Sequence, residues 1–229
     1  MNYVFQFGIV WDHLPRLLEG AWLTIRLSLG AFVIGFMIAV ALAFLRGSAV
    51  RPVRTAVAAY VELIRNTPFL VQLFIIYFSL PALGIRMEAI TAALVGMSIN
   101  FSGYGAEILR SGIEAVPRTQ IEAGHSLGLT RFEIFRHVVV FPALRTAYPA
   151  LASQFVLLML GSSIVAAISA EELTAVTNTL QSTTFRSFEF YFVATGLYLL
   201  MALAARLLLR GLYWGVFERG RPVRQGWAR

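Results

Sequence analysis

Long windows without a charged residue alternate along the chain with stretches that carry its charges. Charge-free windows cover residues 27–45, 66–85, 89–106, 146–170 and 190–205, and Arg206 and Arg210 can extend the last by snorkelling. A bilayer core about 30 Å thick needs about 20 helical residues, so the pattern predicts an all-α integral membrane protein with five transmembrane helices. A soluble bundle is excluded, because 229 residues cannot cover five apolar helices with polar surface.

Arginine placement predicts the orientation of these helices. The sequence has no lysine, and its arginines concentrate at 46–54, at 110–145 and from Arg206 to the end of the chain. Basic residues in short loops stay on the cytoplasmic side, which predicts an amino terminus outside and a carboxyl terminus in the cytoplasm. Residues 213–229 then form a basic cytoplasmic tail. A nucleic-acid partner is disfavoured, because the tail arginines follow an apolar helix directly, as an inner-leaflet anchor does.

The first 26 residues are expected to form an interfacial segment at the outer surface. Asp12 and Glu19 stand where a cleavable signal would be basic. Trp11 and Trp22 lie on a helically spaced apolar stripe, which is typical of an interfacial helix and equally of packing in a core. The transmembrane domain is predicted over residues 27–212.

A patterned hydrophilic loop at residues 111–141 is too long for a turn and is expected to hold helices in the cytoplasm. A helix containing Glu122 should stop at Gly128, and Thr130 with Glu133 three residues later forms a capping-box pattern. The second short helix is predicted from Arg131 to Val140, with Pro142 marking the entry to helix four.

These residues resemble the Glu-Ala-Ala loop of ABC importer permeases: Glu-Ala-Gly at 122–124, Gly128, Val138 and a proline at 142. Residues 65–73 (RNTPFLVQL) and 100–113 (NFSGYGAEILRSGI) resemble the second- and third-helix motifs of polar amino acid permeases of the histidine and glutamine type. The resemblance implies the ABC importer transmembrane fold in the bacterial inner membrane. It also implies docking of an ATPase through a set of loop residues: Glu122, Ala123, Gly124, Gly128, Thr130 and Arg131.

Two positions depart from the family pattern. Phe141 stands where the family places its proline, which implies a different angle of entry into helix four. Residues 158–163 replace the usual Lys-Asp pair of the fourth helix, as in the second permease of histidine-type heteromeric importers.

A polar seam runs along the third predicted helix. Helical geometry places Asn100, Tyr104, Glu107 and Ser111 on one stripe. A carboxylate in a membrane is costly unless it is paired, so Glu107 is expected to form an intramembrane ion pair with Arg65 or, alternatively, to contact the substrate.

Polar and small residues on three helices are candidates for a substrate pathway, although helix packing also explains each one alone. Pro68 interrupts its helix and frees carbonyls for a cavity. The candidates are Thr67, Gln72, Asn100, Tyr104, Gln154, Gly161, Ser162 and Ser163.

Glu171 and Glu172 are expected outside the membrane. In the resembled family this region faces an extracytoplasmic solute-binding protein, and two adjacent glutamates suit a basic partner. A solvated loop is the alternative.

The residue inventory excludes most catalysis. Without lysine there is no phosphate-loop lysine, without cysteine there is no thiolate, and no aspartate follows Asp12. No cofactor or metal is assigned to this chain, and the resemblance implies ATP and magnesium on the partner ATPase. The expected function is the permease subunit of a polar amino acid importer, with a second permease subunit, identical or related, and membrane lipid as further partners. The alternative is a channel or membrane assembly scaffold without ATP coupling.

Overall fold

The computed structural model describes residues 3–218, and these fold entirely into helices and connecting turns. The last eleven residues of the predicted basic tail lie outside the described part of the chain. The α-helices are α1 Gly8–Asp12, α2 Leu14–Arg46, α3 Arg51–Arg65, α4 Phe69–Phe74, α5 Ala89–Glu114, α6 Arg118–Ser126, α7 Arg131–Glu133, α8 Val140–Gly161, α9 Leu173–Thr184 and α10 Ser187–Tyr213.

Several of these helices continue into wider or tighter turns. A π-helical turn, Ile75–Ser79, and a 3₁₀ turn, Leu80–Leu83, prolong α4, and the π-helical segment Ile134–Val139 joins α7 to α8. A 3₁₀ segment, Ser162–Ile168, prolongs α8, and the π-helical Trp214–Glu218 prolongs α10.

Three helical stretches in the described residues are long and apolar enough to cross a membrane alone: Leu14–Arg46, Arg131–Ile168 and Ser187–Glu218. The stretches Arg51–Arg65 and Phe69–Leu83 are bent by 106° relative to each other and make a fourth span if they cross as one broken element. The prediction of five spans is therefore supported for three or four. Helix α5, which contains the window at 89–106, is not among these stretches, and it carries Asn, Ser and Tyr residues within that window.

The break at residues 66–68 has a local cause. Pro68 has no amide proton to donate, so the carbonyls at the end of α3 lose their helical donors. The Gln72 side chain replaces them, with Nε2 donating to the carbonyls of Ile64 at 2.9 Å and Thr67 at 3.2 Å. The predicted helix over 66–85 is accordingly a short, bent segment.

Helix α5 is the centre of the bundle and packs against α2, α3 and α8 through glycines. A Cβ atom at Gly112 would lie 2.7 Å from the Ala143 carbonyl oxygen of α8, and one at Gly103 would lie 2.7 Å from Ile64 Cγ2 of α3. On α2, a Cβ atom at Gly35 would likewise lie 2.7 Å from the Ser98 carbonyl oxygen of α5. Polar residues are tolerated on α5 because protein surrounds it on several sides.

The amino-terminal half of α2 is continuous with its apolar half. Thirty-three residues span about 50 Å, so the predicted boundary at residue 26 lies inside one helix. Leu17, Leu173 and Phe190 are fully buried in a second core formed by α1, α2, α9 and α10. The short helix α1 precedes this long helix, and Leu17 packs in a core, which was one of the two interpretations of the apolar stripe. An outer interfacial location of residues 1–26 stays a prediction.

The chain from Arg131 to Ile168 is one continuous helix of 38 residues. The predicted second short helix of the loop is thus not separate from helix four. Pro142 lies in the first turn of α8, directly after the π-helical turns, and the wider hydrogen-bonding pattern there accommodates its missing N–H. A rigid connection therefore leads from the hydrophilic loop into the bundle.

Candidate functional site

A pocket of about 250 Å³ opens between α5 and α8 and reaches α4. Four of the eight predicted pathway residues line it, with Asn100 and Tyr104 on α5 and Gln154 and Gly161 on α8. The polar seam predicted on the third helix, here α5, therefore faces Gln154 and Gly161 of α8. The remaining lining residues are apolar: Phe69, Leu157, Leu158 and Ile164.

The polar groups of the pocket differ in how far they are already bonded. Asn100 Nδ2 donates to Gln72 Oε1 at 3.0 Å, and the Tyr104 hydroxyl donates weakly to the Arg65 carbonyl oxygen at 3.4 Å. The Gln154 amide makes no hydrogen bond to another described residue. One pocket wall is thus pre-organised, while the other offers a free donor and acceptor to a polar ligand.

The other four predicted pathway residues do not line this pocket. Ser162 and Ser163 donate to carbonyls one turn earlier in their own helical stretch at 2.7 and 3.0 Å, as hydroxyls in helices commonly do. Thr67 lies in the break after α3 and donates to the Leu63 carbonyl at 2.7 Å. Ser162 is also fully buried. Gln72 acts indirectly, because it closes the break before α4 and holds Asn100.

Glu107 lies one helical turn further along α5 and is held mainly by Arg110. Arg110 Nε and Nη2 donate to its two carboxylate oxygens at 3.0 and 2.5 Å, and Arg110 also pairs with Glu114. Arg65, the partner expected from the sequence, is more distant, with Nη1 3.9 Å from Glu107 Oε1. The Arg65 guanidinium lies 5.9 Å from the centre of the Tyr104 ring. Sequence reasoning missed Arg110, although its i+3 spacing from Glu107 signals such a pair.

The hydrophilic loop packs onto the base of α8 through a small core. Gly124 of α6 is buried, and a Cβ atom there would lie 2.9 Å from Ile134 Cγ1. Ile134 belongs to a buried cluster with Val116, Val139 and Ala143. Because Ile134, Val139 and Ala143 lie on the continuous helix that contains α8, any displacement of α6 acts directly on that helix.

The turn between α6 and α7 has the predicted geometry. Gly128 has φ +75°, and a Cβ atom there would meet nothing within 4 Å. Thr130 Oγ1 accepts from the Glu133 amide, and the Glu133 carboxylate accepts from the Thr130 amide at 2.8 Å, which completes the capping box.

The outer surface of this loop exposes apolar side chains beside Glu122 and Ala123. Leu127 is 79% exposed and Phe132 is 69% exposed. Exposed large apolar residues on a hydrophilic loop are typical of a protein-binding surface. Leu127 and Phe132 were not among the residues predicted from the sequence, although large apolar residues in a hydrophilic loop can indicate a protein-binding surface.

Replacing Gly128 by valine is expected to reduce coupled transport about tenfold, because a β-branched residue at positive φ costs about 1–2 kcal/mol and shifts α7 relative to α6. The measurement is uptake together with ATP hydrolysis in proteoliposomes. Gly128→Asn is the matched control, since asparagine tolerates the left-handed conformation and the added side chain meets open space. Equal uptake by the two variants would contradict a role for this turn geometry.

Glu172 is not the surface residue that the sequence predicted. It is fully buried, and its carboxylate accepts from the amides of Thr174 and Ala175 and from the Tyr198 hydroxyl. The Thr24 hydroxyl of α2 lies 3.3 Å from Glu172 Oε2. Glu172 therefore caps α9 and ties it to α2 and α10, so it cannot contact a docked protein. Glu171 next to it is exposed.

A helical membrane bundle with a mid-helix pocket and a loop coupled to a lining helix defines a transport component rather than an enzyme. Residues 31–213 match the model of a protein family described as the binding-protein-dependent transport system inner membrane component, and the chain belongs to this family. It is thus a multi-pass inner-membrane permease component and is non-catalytic.

Individual relatives agree with this assignment. The L-cystine transport system permease protein TcyB of Bacillus subtilis strain 168 is 36% identical over 72% of this chain and 73% of that protein. The glutamine transport system permease protein GlnP of Escherichia coli strain K12 is 32% identical over 91% of this chain and 96% of that protein. The crystal structure of an amino acid ABC transporter with histidines matches with a TM-score of 0.88 at 34% identity, covering 93% of this chain and 100% of that chain. The predicted resemblance and the ABC importer transmembrane fold are confirmed.

Proposed function

We propose that this permease component moves a polar amino acid through the pocket between α5 and α8. The pocket is the observation that carries the proposal, because Asn100, Tyr104 and Gln154 converge there among apolar residues. A zwitterion needs a few placed polar groups in an otherwise apolar site. The named relatives transport cystine and glutamine, which supports a polar amino acid and leaves the particular one open.

The proposed topology has five spans, with the amino terminus outside and the carboxyl terminus in the cytoplasm. Helix α5 is the additional span, since its 26 residues extend about 39 Å and its seam faces protein rather than lipid. This arrangement places Arg46, Arg110 and the loop at 111–141 on one side of the membrane, in agreement with the arginine distribution.

An ATPase dimer drives the pocket through the loop at 111–141. Glu122, Ala123, Thr130 and Arg131 are all exposed there, beside the apolar Leu127 and Phe132. Gly124 and Gly128 set the shape of this surface. The continuous helix from Arg131 reaches Gln154 about 35 Å away, so a tilt of the loop changes the pocket wall. ATP and magnesium bind on the ATPase, and this chain supplies neither site.

Two further partners complete the assembly. A second permease subunit, identical or related, encloses the pathway, because five spans are few for enclosing a path through the membrane. An extracytoplasmic binding protein delivers the substrate to the outer surface, where Glu171 is the exposed candidate for a contact. Glu107 keeps its structural pairing with Arg110 and Arg65 near the inner end of the pocket.

Replacing Gln154 by leucine, a side chain of similar size, is expected to lower the maximal rate of uptake about tenfold, because the pocket loses a free hydrogen-bond donor and acceptor. Uptake is measured in proteoliposomes containing the permease, its ATPase and its binding protein, with a panel of amino acids. The half-saturating concentration should change little, because the binding protein captures the substrate first.

Thr146→Val is the matched control, since Thr146 is an exposed residue of α8 that does not line the pocket. Normal uptake by Gln154→Leu would remove this pocket from the pathway. Amino acid flux that needs no ATP would instead support the channel alternative.

A further inference from the structure

A second cleft lies between α8 and α10, at the end of the bundle where both helices carry arginines. Its volume is about 490 Å³, and it is lined by Tyr148, Pro149, Ala152, Ser153, Arg206, Leu209, Arg210 and Tyr213. Arg206, Arg210 and Tyr213 follow one another at helical spacing of four and three residues, so their side chains share one face of α10.

This cleft is not part of the amino acid pocket. Ala152 lines the cleft and Gln154 lines the pocket, and two successive steps along a helix turn the side chains about 200° apart. The cleft therefore opens on the opposite side of α8, away from the pathway.

The cleft is held open by contacts between its walls. The Tyr148 hydroxyl donates to the Leu209 carbonyl oxygen at 2.8 Å, and the rings of Tyr148 and Tyr213 are 5.5 Å apart. Arg145 Nη2 lies 3.6 Å from Glu218 Oε1 further along the same two helices. The site is thus pre-formed and does not depend on a ligand for its shape.

The basic groups of the cleft are without acidic partners in residues 3–218. Arg206 and Arg210 are both exposed, and no carboxylate of the described chain lies within 4 Å of either guanidinium. Ser153 is exposed as well and makes no hydrogen bond to another described residue. Two guanidinium groups and a hydroxyl therefore offer donors toward the same space.

The surface around these arginines is apolar. Leu207 and Leu208 are each 70% exposed, Leu212 is 57% exposed, and Trp214 is 62% exposed at the end of the helix. An apolar helix surface that ends in tryptophan is typical of contact with lipid at the membrane interface. Charged groups at such a position need an anionic partner or water.

We propose that this cleft binds the phosphate headgroup of an anionic phospholipid, with Arg206 and Arg210 on the phosphate and the acyl chains along the leucine surface of α10. Basic clefts between transmembrane helices at the cytoplasmic face bind anionic headgroups for this reason. A phospholipid, rather than a soluble phosphate, fits because the donors lie directly beside the lipid-facing leucines. The proposal rests on membrane insertion and is independent of which substrate the permease carries.

The test measures retention of phosphatidylglycerol by the full chain, purified with its partner subunits, using native mass spectrometry after exchange into nanodiscs. The variant Arg206→Gln/Arg210→Gln should retain phosphatidylglycerol about 30-fold more weakly, since each arginine near an anionic lipid contributes about fivefold. Arg206→Lys/Arg210→Lys keeps both charges and should recover most of the binding.

Arg16→Gln/Arg26→Gln is the matched control, because it removes the same charge from exposed residues at the other end of the bundle. Retention in this control should equal that of the unmodified chain. Equal retention by the glutamine variant of the cleft, or equal retention of phosphatidylcholine, overturns the proposal. Displacement of the lipid by glycerol phosphate at matched concentration also overturns the proposal, in favour of a soluble phosphate. If the glutamine variant of the cleft loses an acidic partner protein but retains the lipid, the proposal is likewise overturned, in favour of a protein contact.

Discussion

Replacing Gly124 by valine should reduce coupled uptake tenfold or more while the permease still inserts and assembles. The new Cβ atom would lie 2.9 Å from Ile134 Cγ1 and 3.3 Å from its Cδ1, and the valine methyl groups add further overlap. Overpacking of this kind costs about 1–3 kcal/mol. Helix α6 is a short surface helix on a small core, so it is displaced more easily than the base of α8 is deformed. ATP-driven uptake should fall tenfold or more, as that cost implies, and ATP hydrolysis should lose its dependence on the binding protein.

A second substitution separates this clash from a general defect. Ile134→Ala removes the side chain that the new valine meets, so Gly124→Val/Ile134→Ala should regain a large part of the uptake. Unchanged uptake in Gly124→Val, or a double variant worse than both single variants, would count against α6 as the coupling element. Proteoliposome uptake and ATPase activity measured on the same preparations distinguish these results.

Local patterns predicted the elements that depend on neighbouring residues alone. Three of the charge-free windows, at 27–45, 146–170 and 190–205, located long apolar helices, and the Gly128 turn and the Thr130 capping box have the expected geometry. These features depend on the length of apolar runs, on residue types that favour positive φ, and on contacts between residues three apart, and each of these can be inferred from neighbouring residues in the sequence.

Features that depend on tertiary contacts were predicted less well. The continuity of α2 across residue 26 is stabilised by close packing on α9, where a Cβ atom at Gly20 would lie 3.0 Å from Leu173 Cα. At the bend before α4, the Gln72 side chain donates a hydrogen bond to the Ile64 carbonyl of the preceding helix, and the local sequence does not indicate this contact.

The candidate site shows the same division. Asn100 and Tyr104 share a helix face by spacing alone, whereas their meeting with Gln154 required the packing of α5 on α8. Ser162 and Ser163 were chosen for polarity, yet a hydroxyl can satisfy itself on its own helix, so polarity alone does not indicate a pocket. The sequence could not separate Glu171 from Glu172, because nothing local to two adjacent glutamates shows which one is buried.

Replacing Glu172 by alanine should destabilise the end of the bundle around α9 by about 2–4 kcal/mol, the second large effect that the structure predicts. Loss of a helix cap costs about 1 kcal/mol, and the half-buried Tyr198 hydroxyl loses its carboxylate acceptor at about 1–3 kcal/mol. The Thr24 hydroxyl keeps the Gly20 carbonyl oxygen as an acceptor. The expected result is a large drop in the midpoint of thermal unfolding of the purified permease. Glu172→Gln should lose less, since its amide oxygen can still accept from the Thr174 and Ala175 amides.

Glu171→Ala provides the matched control one residue away. Its side chain is exposed, so removing it should leave the unfolding midpoint unchanged. A similar small effect for both alanine variants would mean that the Glu172 cluster does not hold α9 to α2 and α10. A large effect for Glu172 alone would establish that its buried carboxylate holds α9 to α2 and α10, while Glu171 beside it stays accessible at the surface.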